Sequence, residues 1–304
     1  MREGKRKLGF APLAGAMCVL GVTGAASAAI SIDGSLDAAY GGPLATQTVN
    51  TGFGDSTVGD GTSTGGSELD AAYGVVSGGN LNLFLAGNFE NNGNHVNIFI
   101  ADGRAGQSTL NASGGPLNGA NGMTFPAGFS ATYAIDANDF SNTVYFDTFD
   151  LIGNTSGYAG GISLTGGIGN GSLAGGVFAG INNTNAAGVN GNAGTAADPF
   201  AADAVATGLE ISIPLSTLGN PTGPIQVIAD INGGGDNYLS NQFLGGLPVG
   251  TGNLASPGSV NLNGLVTPFV VGVPEPTGAV FVGLAGGTFL LLSGRSRRLT
   301  VVSR

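Results

Sequence analysis

Short runs of alternating apolar residues, each bounded by glycine-rich turns, constrain this chain more than any other feature. Alternation with a period of two is typical of half-buried β-strands, and Gly, Asn, Asp and Ser between the runs are turn formers. The runs occupy residues 81–89, 95–101, 129–135, 142–149, 209–215 and 225–231. No long amphipathic helix is predicted, and the best helical candidate is a short one near residues 199–207. This pattern predicts an all-β fold: a single antiparallel β-sandwich, jelly-roll-like, with ten or more strands between Ile30 and about Pro248.

Glycine is abundant throughout, with 58 residues among 304, but it lacks the triplet spacing of collagen. The segment 153–197 is the richest in glycine and holds two short apolar patches. Glycine-rich strands specify their register weakly. We therefore predict one or two edge strands there, carried on a long loop region.

The hexapeptide LDAAYG occurs twice, beginning at Leu36 and at Leu69. The period of thirty-three residues predicts a third copy near Asp102, where the sequence is DGRAGQ, so the chain is not a repeat array. The first copy lies within residues 30–47, which are predicted to form a short strand followed by a turn, and the second runs into a predicted strand, turn and strand. We interpret the copies as similar parts of one sandwich and not as a duplicated binding site.

The N-terminal residues 1–28 have the pattern of a secretory signal peptide: a basic start, an apolar stretch without charge, and the sequence ASA. Ala26 and Ala28 supply the small residues for cleavage by signal peptidase, which would leave a mature chain beginning at Ala29. The alternative is an N-terminal membrane anchor. Cys18, the only cysteine, lies within the apolar stretch without the residues that precede a lipidated cysteine. The mature domain is therefore expected to fold without disulfides.

The C-terminal residues 273–304 have three parts. Val273, Pro274, Glu275 and Pro276 form a short rigid motif, residues 277–294 carry no charge, and Arg295, Arg297 and Arg298 form a basic cluster at 295–298. Eighteen uncharged residues are enough for a transmembrane helix, and the arginines favour a cytoplasmic C-terminal end. This tail resembles the PEP-CTERM sorting signal. The resemblance implies an exported protein, held transiently in the membrane, processed by an exosortase at the Pro-Glu-Pro motif and associated with exopolysaccharide or biofilm matrix. The extension LTVVSR after the arginines departs from that pattern.

The central residues 29–272 resemble family-nine carbohydrate-binding modules and DOMON domains. The likeness is carried by the opening IDGSLDAAY, by LDAAYGVVSGGNLNLFL, by HVNIFIAD and by GLEISIPLSTLGNPTGPIQVIADINGG. It implies a β-sandwich and a possible carbohydrate ligand.

The charge of residues 29–272 excludes several classes of partner. This part of the chain contains seventeen acidic residues and a single basic one, Arg104, which gives a net charge of −16. Nucleic-acid binding requires basic side chains along the phosphates, so we predict no nucleic-acid partner. Anionic membrane surfaces would repel the domain as well.

The residues that could carry catalysis are few. His95, the only histidine, is predicted to be a hydrogen-bonded structural residue at the start of a strand. The acids Asp55, Asp60, Asp136, Asp139, Asp147 and Asp150 are interpreted as turn residues without the spacing of a catalytic pair. We therefore predict no enzyme activity and assign no catalytic residue. The stretch DINGGGDN at 230–237 has oxygen donors spaced as in a calcium loop, but it also has the composition of a hairpin turn. Both interpretations stay open, and no metal ligand or cofactor is assigned.

Sugar binding usually needs exposed aromatic rings beside polar groups, and the chain has no Trp. The available tyrosines are Tyr40, Tyr73, Tyr133, Tyr145, Tyr158 and Tyr238, several of which are expected to face the core. Two functions follow from the sequence. The first is a non-catalytic structural protein of the cell surface or extracellular matrix, and the alternative is a module that binds matrix polysaccharide.

Overall fold

The computed structural model describes residues 29–53, 66–89, 91–189 and 192–274. Within these ranges the secondary structure is almost entirely β, with one short helix, α1 (Pro199–Asp203), where the sequence predicts one. The side chain of Asp198 caps this helix by accepting a hydrogen bond from the Phe200 N–H. The strands are β1 (Ala45–Thr46), β2 (Ser67–Ser77), β3 (Asn80–Phe89), β4 (His95–Ala101), β5 (Tyr133–Phe140), β6 (Thr143–Asp150), β7 (Thr155–Ser163), β8 (Ile168–Ser172), β9 (Phe178–Asn182), β10 (Gly208–Pro214), β11 (Ile225–Asn232), β12 (Leu239–Leu244) and β13 (Phe269–Val271).

The strands form two antiparallel sheets. The first sheet has the order β1-β2-β3-β10-β9-β8, and the second has the order β12-β11-β4-β5-β6-β7, with β13 also pairing with β11. Consecutive strands are joined mainly as hairpins, and the chain crosses between the sheets after β3, β7 and β10. The all-β architecture predicted from the alternating runs is confirmed.

The main core lies between the two sheets. Leu81, Leu83 and Leu85 of β3 belong to the same buried cluster as Ile98 and Ile100 of β4. These five side chains are at most 1% exposed. Burying each such side chain contributes about 1.5–3 kcal/mol, so this layer drives the association of the sheets.

The outer face of the second sheet, which points away from the first sheet, is also covered at β4 and β11. Phe99 of β4 and Ile228 of β11 are buried there with Leu117, Phe125 and Leu262 from the long connections after β4 and β12. Because both faces of β4 are covered, every residue of that strand is buried. The sequence predicted a half-buried strand, since alternation reports only that successive residues face opposite sides.

The two copies of LDAAYG have different structures. The first contains a 3-10 turn at Ala38–Tyr40, as predicted, but residues 30–37 before it do not form the predicted strand, and the second copy forms part of β2. Both tyrosines nevertheless pack against one ring: the centroid of Phe84 is 6.1 Å from that of Tyr40 and 5.8 Å from that of Tyr73. The hexapeptide thus supplies two aromatic side chains to one cluster on the outer face of the first sheet.

Three further predictions need correction. Residues 129–132 lie outside β5, because Phe129 packs in the outer cluster while β5 begins at Tyr133. The segment 153–197 contains three strands, β7, β8 and β9, of which β7 and β8 are edge strands with exposed side chains. The packed structure also continues beyond Pro248, since Phe269 of β13 pairs with Val227 of β11.

Candidate cation centre

A row of polar side chains crosses the outer face of the second sheet. Asp230 of β11 is the cross-strand partner of Asn97 in β4, Asn97 is the partner of Asp136 in β5, and Asp136 is the partner of Asp147 in β6. Antiparallel partners point to the same face with Cβ atoms about 4.5–5.5 Å apart, and like charges directly opposite one another are destabilising. We call these four residues the acidic row. Its three carboxyl groups lie on neighbouring strands, so protons or a cation must offset their charge.

The β11–β12 hairpin turn adds a further carboxyl group, that of Asp236. Asn232 shapes this turn: its amide nitrogen donates to the Asp236 carbonyl at 3.2 Å, and its amide oxygen accepts from the Tyr238 N–H at 2.9 Å. Asp236 itself has a φ of 54°, in the left-handed region. The turn is pressed against the 3-10 segment Pro116–Ala120, where a Cβ on Gly119 would lie 2.0 Å from the Gly235 carbonyl oxygen. This close approach requires glycine at position 119 and helps to enclose the row.

His95 is held between two acids and the backbone of the same turn. Its Nδ1 lies 2.8 Å from Oδ1 of Asp136 and 3.5 Å from Oδ2 of Asp236. The Gly235 N–H donates to Nε2 at 3.3 Å. Because Nε2 accepts, the proton of the neutral ring resides on Nδ1 and is donated to Asp136. Burial lowers the pKa of His95, although the nearby charges of Asp236 and Asp147 oppose that shift. The ring is therefore neutral at pH 7.

Several buried oxygens of this site accept no hydrogen bond from the described part of the chain. They are both carboxylate oxygens of Asp230, both of Asp236 and the amide oxygen of Asn97. All three side chains have 0% exposure, so water cannot replace the missing donors. An unsatisfied buried polar group costs about 1–3 kcal/mol, and a charged group costs more. These buried oxygens therefore require either a bound ligand or protons on the carboxylates.

The electrostatics of the site agree with its geometry. Burial raises the pKa of Asp136 to about 7. Burial and the neighbouring Asp136 raise the pKa of Asp236 well above its ordinary value, and burial together with Asp236 does the same for Asp230. One atom from each of His95, Asp136 and Asp236 lies within 4.8 Å of the others, which is the spacing of groups around a single cation. The site can thus hold a shared proton or a metal ion, whereas its burial prevents a substrate from reaching these carboxyl groups.

Some of these residues were singled out by the sequence and others were misinterpreted. His95 begins β4 and is hydrogen-bonded, as predicted. Residues 230–232 end β11 and residues 233–237 lie in the hairpin turn that follows, so this stretch brings two acids to the candidate site. The interpretation of Asp136, Asp139 and Asp147 as turn residues is wrong, because they lie within β5 and β6. The sequence signal that could have identified them is the alternation of side chains with a period of two, which assigns each aspartate to one face of an apolar strand. Asp150 ends β6, and its carboxylate accepts from two backbone N–H groups of the turn that follows. Asp55 and Asp60 lie outside the described residues.

The tyrosines divide into two groups. Tyr40, Tyr73 and Tyr133 are buried, as the alternation predicted for several of them. Tyr145 in β6 is 37% exposed and Tyr158 in β7 is 62% exposed. They occupy neighbouring strands on the face that carries the acidic row, because Tyr158 is the cross-strand partner of Asp147. Tyr238 is 45% exposed, and its ring stacks on Phe53 with centroids 6.0 Å apart.

Arg104 lies beside a cleft of about 500 Å³ at the far end of the second sheet. Its guanidinium Nη2 is 2.6 Å from Oδ2 of Asp102, so its charge is already paired. Gln226 and Ser130 line the same cleft. Within the described residues, Arg104 is thus an ion-paired side chain at the edge of this cleft.

The sorting residues lie at or beyond the limits of the described chain. Val273 packs against the main core two residues after β13, and Pro274 is exposed. Glu275, Pro276, Arg295, Arg297, Arg298, Ala26 and Ala28 fall outside the described residues. Within the described ranges, none of the helices has the length and apolar character needed to cross a bilayer. The chain matches no protein-family model, no curated protein and no solved structure.

Proposed function

We propose that this chain is an exported, non-catalytic structural protein of the cell surface or extracellular matrix, with a jelly-roll-like sandwich delivered by two terminal signals. Signal peptidase removes residues 1–28, residues 277–294 hold the protein in the membrane, and an exosortase-type enzyme releases it at residues 273–276. The observation that carries the proposal is the three-part C-terminal tail, which resembles the PEP-CTERM signal.

The position of the motif supports this order of events. Val271 ends β13, and Pro274 follows three residues later with its side chain in solvent. A proline cannot continue a helix inward from the preceding residue, and it holds that residue extended. Pro274, the last described residue of the motif, is thus exposed right beside the folded domain, where we expect a processing enzyme to reach it. The arrangement of His95 supports the absence of catalysis, because the only imidazole is 5% exposed and bonded on both nitrogens.

The experiment compares processing of three proteins in the producing cells. The variant Pro274→Ala with Glu275→Ala is expected to insert normally but to remain membrane-bound at its unprocessed mass. Thr267→Ala, an exposed residue just before β13, is the matched control and should be released like the wild type. Intact-mass measurement of the membrane and released fractions decides the question. Release of the double variant at the wild-type rate would refute the sorting proposal.

A second function is favoured by one specific observation, the pair of exposed tyrosines on β6 and β7. Tyr145 and Tyr158 project from the same face beside the partly exposed Asp147, which places aromatic rings next to a polar group as polysaccharide binding requires. Replacing both tyrosines by alanine should abolish retention on the extracellular polysaccharide of the producing cells, whereas Tyr238→Ala should not. If the wild type itself passes unretained over that polysaccharide, the binding function is rejected and the structural one stands.

A further inference from the structure

We propose that the acidic row and the β11–β12 turn form a structural calcium site, with the carboxylates of Asp136 and Asp236 and the amide oxygen of Asn97 as its first ligands; Asp230, the cross-strand partner of Asn97, joins them by turning toward the ion. The proposal rests on side chains of the folded domain and is independent of the sorting tail and of polysaccharide binding. It gives the buried acids a common role, since one ion satisfies oxygens contributed by three strands and a turn.

The first argument comes from oxygens without donors. Asp230 is fully buried within a strand of apolar residues, and neither of its oxygens accepts a hydrogen bond from the described residues. The oxygens of Asp236 also lack a donor in good hydrogen-bond geometry, although its carboxyl group lies close to the Asp136 carboxyl group and the Asn97 amide. A divalent cation neutralises two of the three charges and supplies the interaction that these oxygens lack. Protonation alone would require one proton on Asp230 and another shared by Asp136 and Asp236.

The second argument concerns the kind of metal. The donors are oxygens, which hard cations such as Ca²⁺ and Mg²⁺ prefer over transition metals. His95 is nearby, but its Nδ1–H is donated to Asp136 and its Nε2 accepts from the Gly235 N–H, so neither nitrogen has a free lone pair. His95 therefore acts as a hydrogen-bond donor that orients the Asp136 carboxylate. Zinc is disfavoured because no nitrogen or sulfur ligand is left for it.

The third argument separates calcium from magnesium. Mg²⁺ usually keeps several waters, whereas Ca²⁺ accepts six to eight oxygens, including bidentate carboxylates, in flexible geometry. This site excludes water, because Asp136, Asp230, Asp236 and Asn97 are at most 1% exposed. The amide nitrogen of Asn97 donates a hydrogen bond to Oδ2 of Asp136 at 3.2 Å, and the amide oxygen of Asn97 has no partner among the described residues. Turning this amide by half a turn presents the oxygen to the ion, and the two orientations have the same shape.

Calcium binding to the full-length chain, purified and treated with chelator, tests the proposal by isothermal titration at neutral pH. We expect one saturable site per chain. Asp136→Asn and Asp236→Asn should each weaken the affinity at least tenfold. Asp203→Asn is the matched control, because it removes the same charge from an exposed side chain at the end of α1 that accepts a hydrogen bond from Thr46, and it should leave the affinity unchanged.

Native mass spectrometry of the wild type provides a readout that does not depend on the folding of the variants. The expected result is one calcium per chain, removed by EDTA and restored by calcium but not by magnesium at the same concentration. The proposal is overturned if the wild type shows no saturable binding up to about 10 mM calcium, above the range in which extracellular modules bind. It is equally overturned if zinc alone is retained, or if Asp203→Asn weakens binding as much as the two site variants do.

Discussion

The substitution Asp136→Asn should stabilise the calcium-free protein at alkaline pH, in contrast to most substitutions of buried residues. Burial raises the pKa of Asp136 from its ordinary value of 3.8 to about 7. The folded state therefore keeps a proton that the unfolded state has released. The stability contributed by this group is lost as the pH rises from about 4 to about 7. The reason is that ionising Asp136 costs more free energy in the folded state than in the unfolded chain.

The size of the effect follows from that shift. Each pH unit corresponds to about 1.4 kcal/mol, so a shift of roughly three units makes ionised Asp136 unfavourable by about 4 kcal/mol at pH 8 and above. Asparagine keeps the shape and still accepts the hydrogen bond from His95, but it carries no charge. For a domain of this size, the gain corresponds to a rise in Tm of about 8–16 °C at pH 8. At pH 4 the gain should be less than about 1 kcal/mol.

The assay is urea unfolding of both proteins in chelator at pH 4, 6 and 8. The difference between the proteins is the relevant quantity, because His95 titrates in the opposite direction. Its pKa is lowered by burial, so its contribution is present above the unfolded pKa and is lost as the pH falls. Calcium at a hundred times the wild-type Kd should stabilise the wild type by about 2.7 kcal/mol and a variant that binds tenfold more weakly by about 1.4 kcal/mol, which reduces the advantage of Asp136→Asn to about 3 kcal/mol. Destabilisation at pH 8 in chelator, or a difference independent of pH, would refute this reasoning.

Three other substitutions test the packing around the site and on the opposite sheet. Glu210→Gln should cost about 1–3 kcal/mol in urea unfolding, because the buried carboxylate accepts the Tyr40 hydroxyl at 2.7 Å and two backbone N–H groups; an unchanged midpoint would contradict that role. Phe84→Ala should cost about 3–5 kcal/mol, since its fully buried ring contacts both tyrosines of the repeated hexapeptide. Gly119→Ala should displace the turn beneath it and weaken calcium binding measurably in titration calorimetry, whereas Gly42→Ala, which has open space around it, should bind like the wild type.

Local patterns in the sequence were sufficient to identify most strands. β4 and β11 coincide closely with the runs 95–101 and 225–231, because alternation and flanking turn residues are properties of neighbouring positions. The region 153–197 was underestimated for the same reason. β8 (IGNGS) has glycine or polar residues at every position but one, so it shows no apolar alternation and is a strand because it pairs with β9.

The candidate site could not be assembled from the sequence, since it depends on register between strands far apart in the chain. Asp230 and Asn97 are separated by more than a hundred residues, and a slip of one residue would turn either side chain to the other face. Asp230 was recognisable as an acid within an apolar run, and 230–237 as a turn with oxygen donors. The sequence did not reveal that Asp136 lies on the same face, because the partners of Asp136 are set by the order of strands in the sheet.

A crystal structure of the protein grown with calcium tests the account most directly. We expect one ion on the outer face of the second sheet, between Asp136, Asp236 and Asn97, with oxygen distances of about 2.3–2.6 Å and His95 still donating to Asp136. Asp230 should be turned toward the ion. Clear density showing the same buried carboxyl groups in direct contact, with no ion between them at saturating calcium, would show that protons hold the row together and would contradict the account.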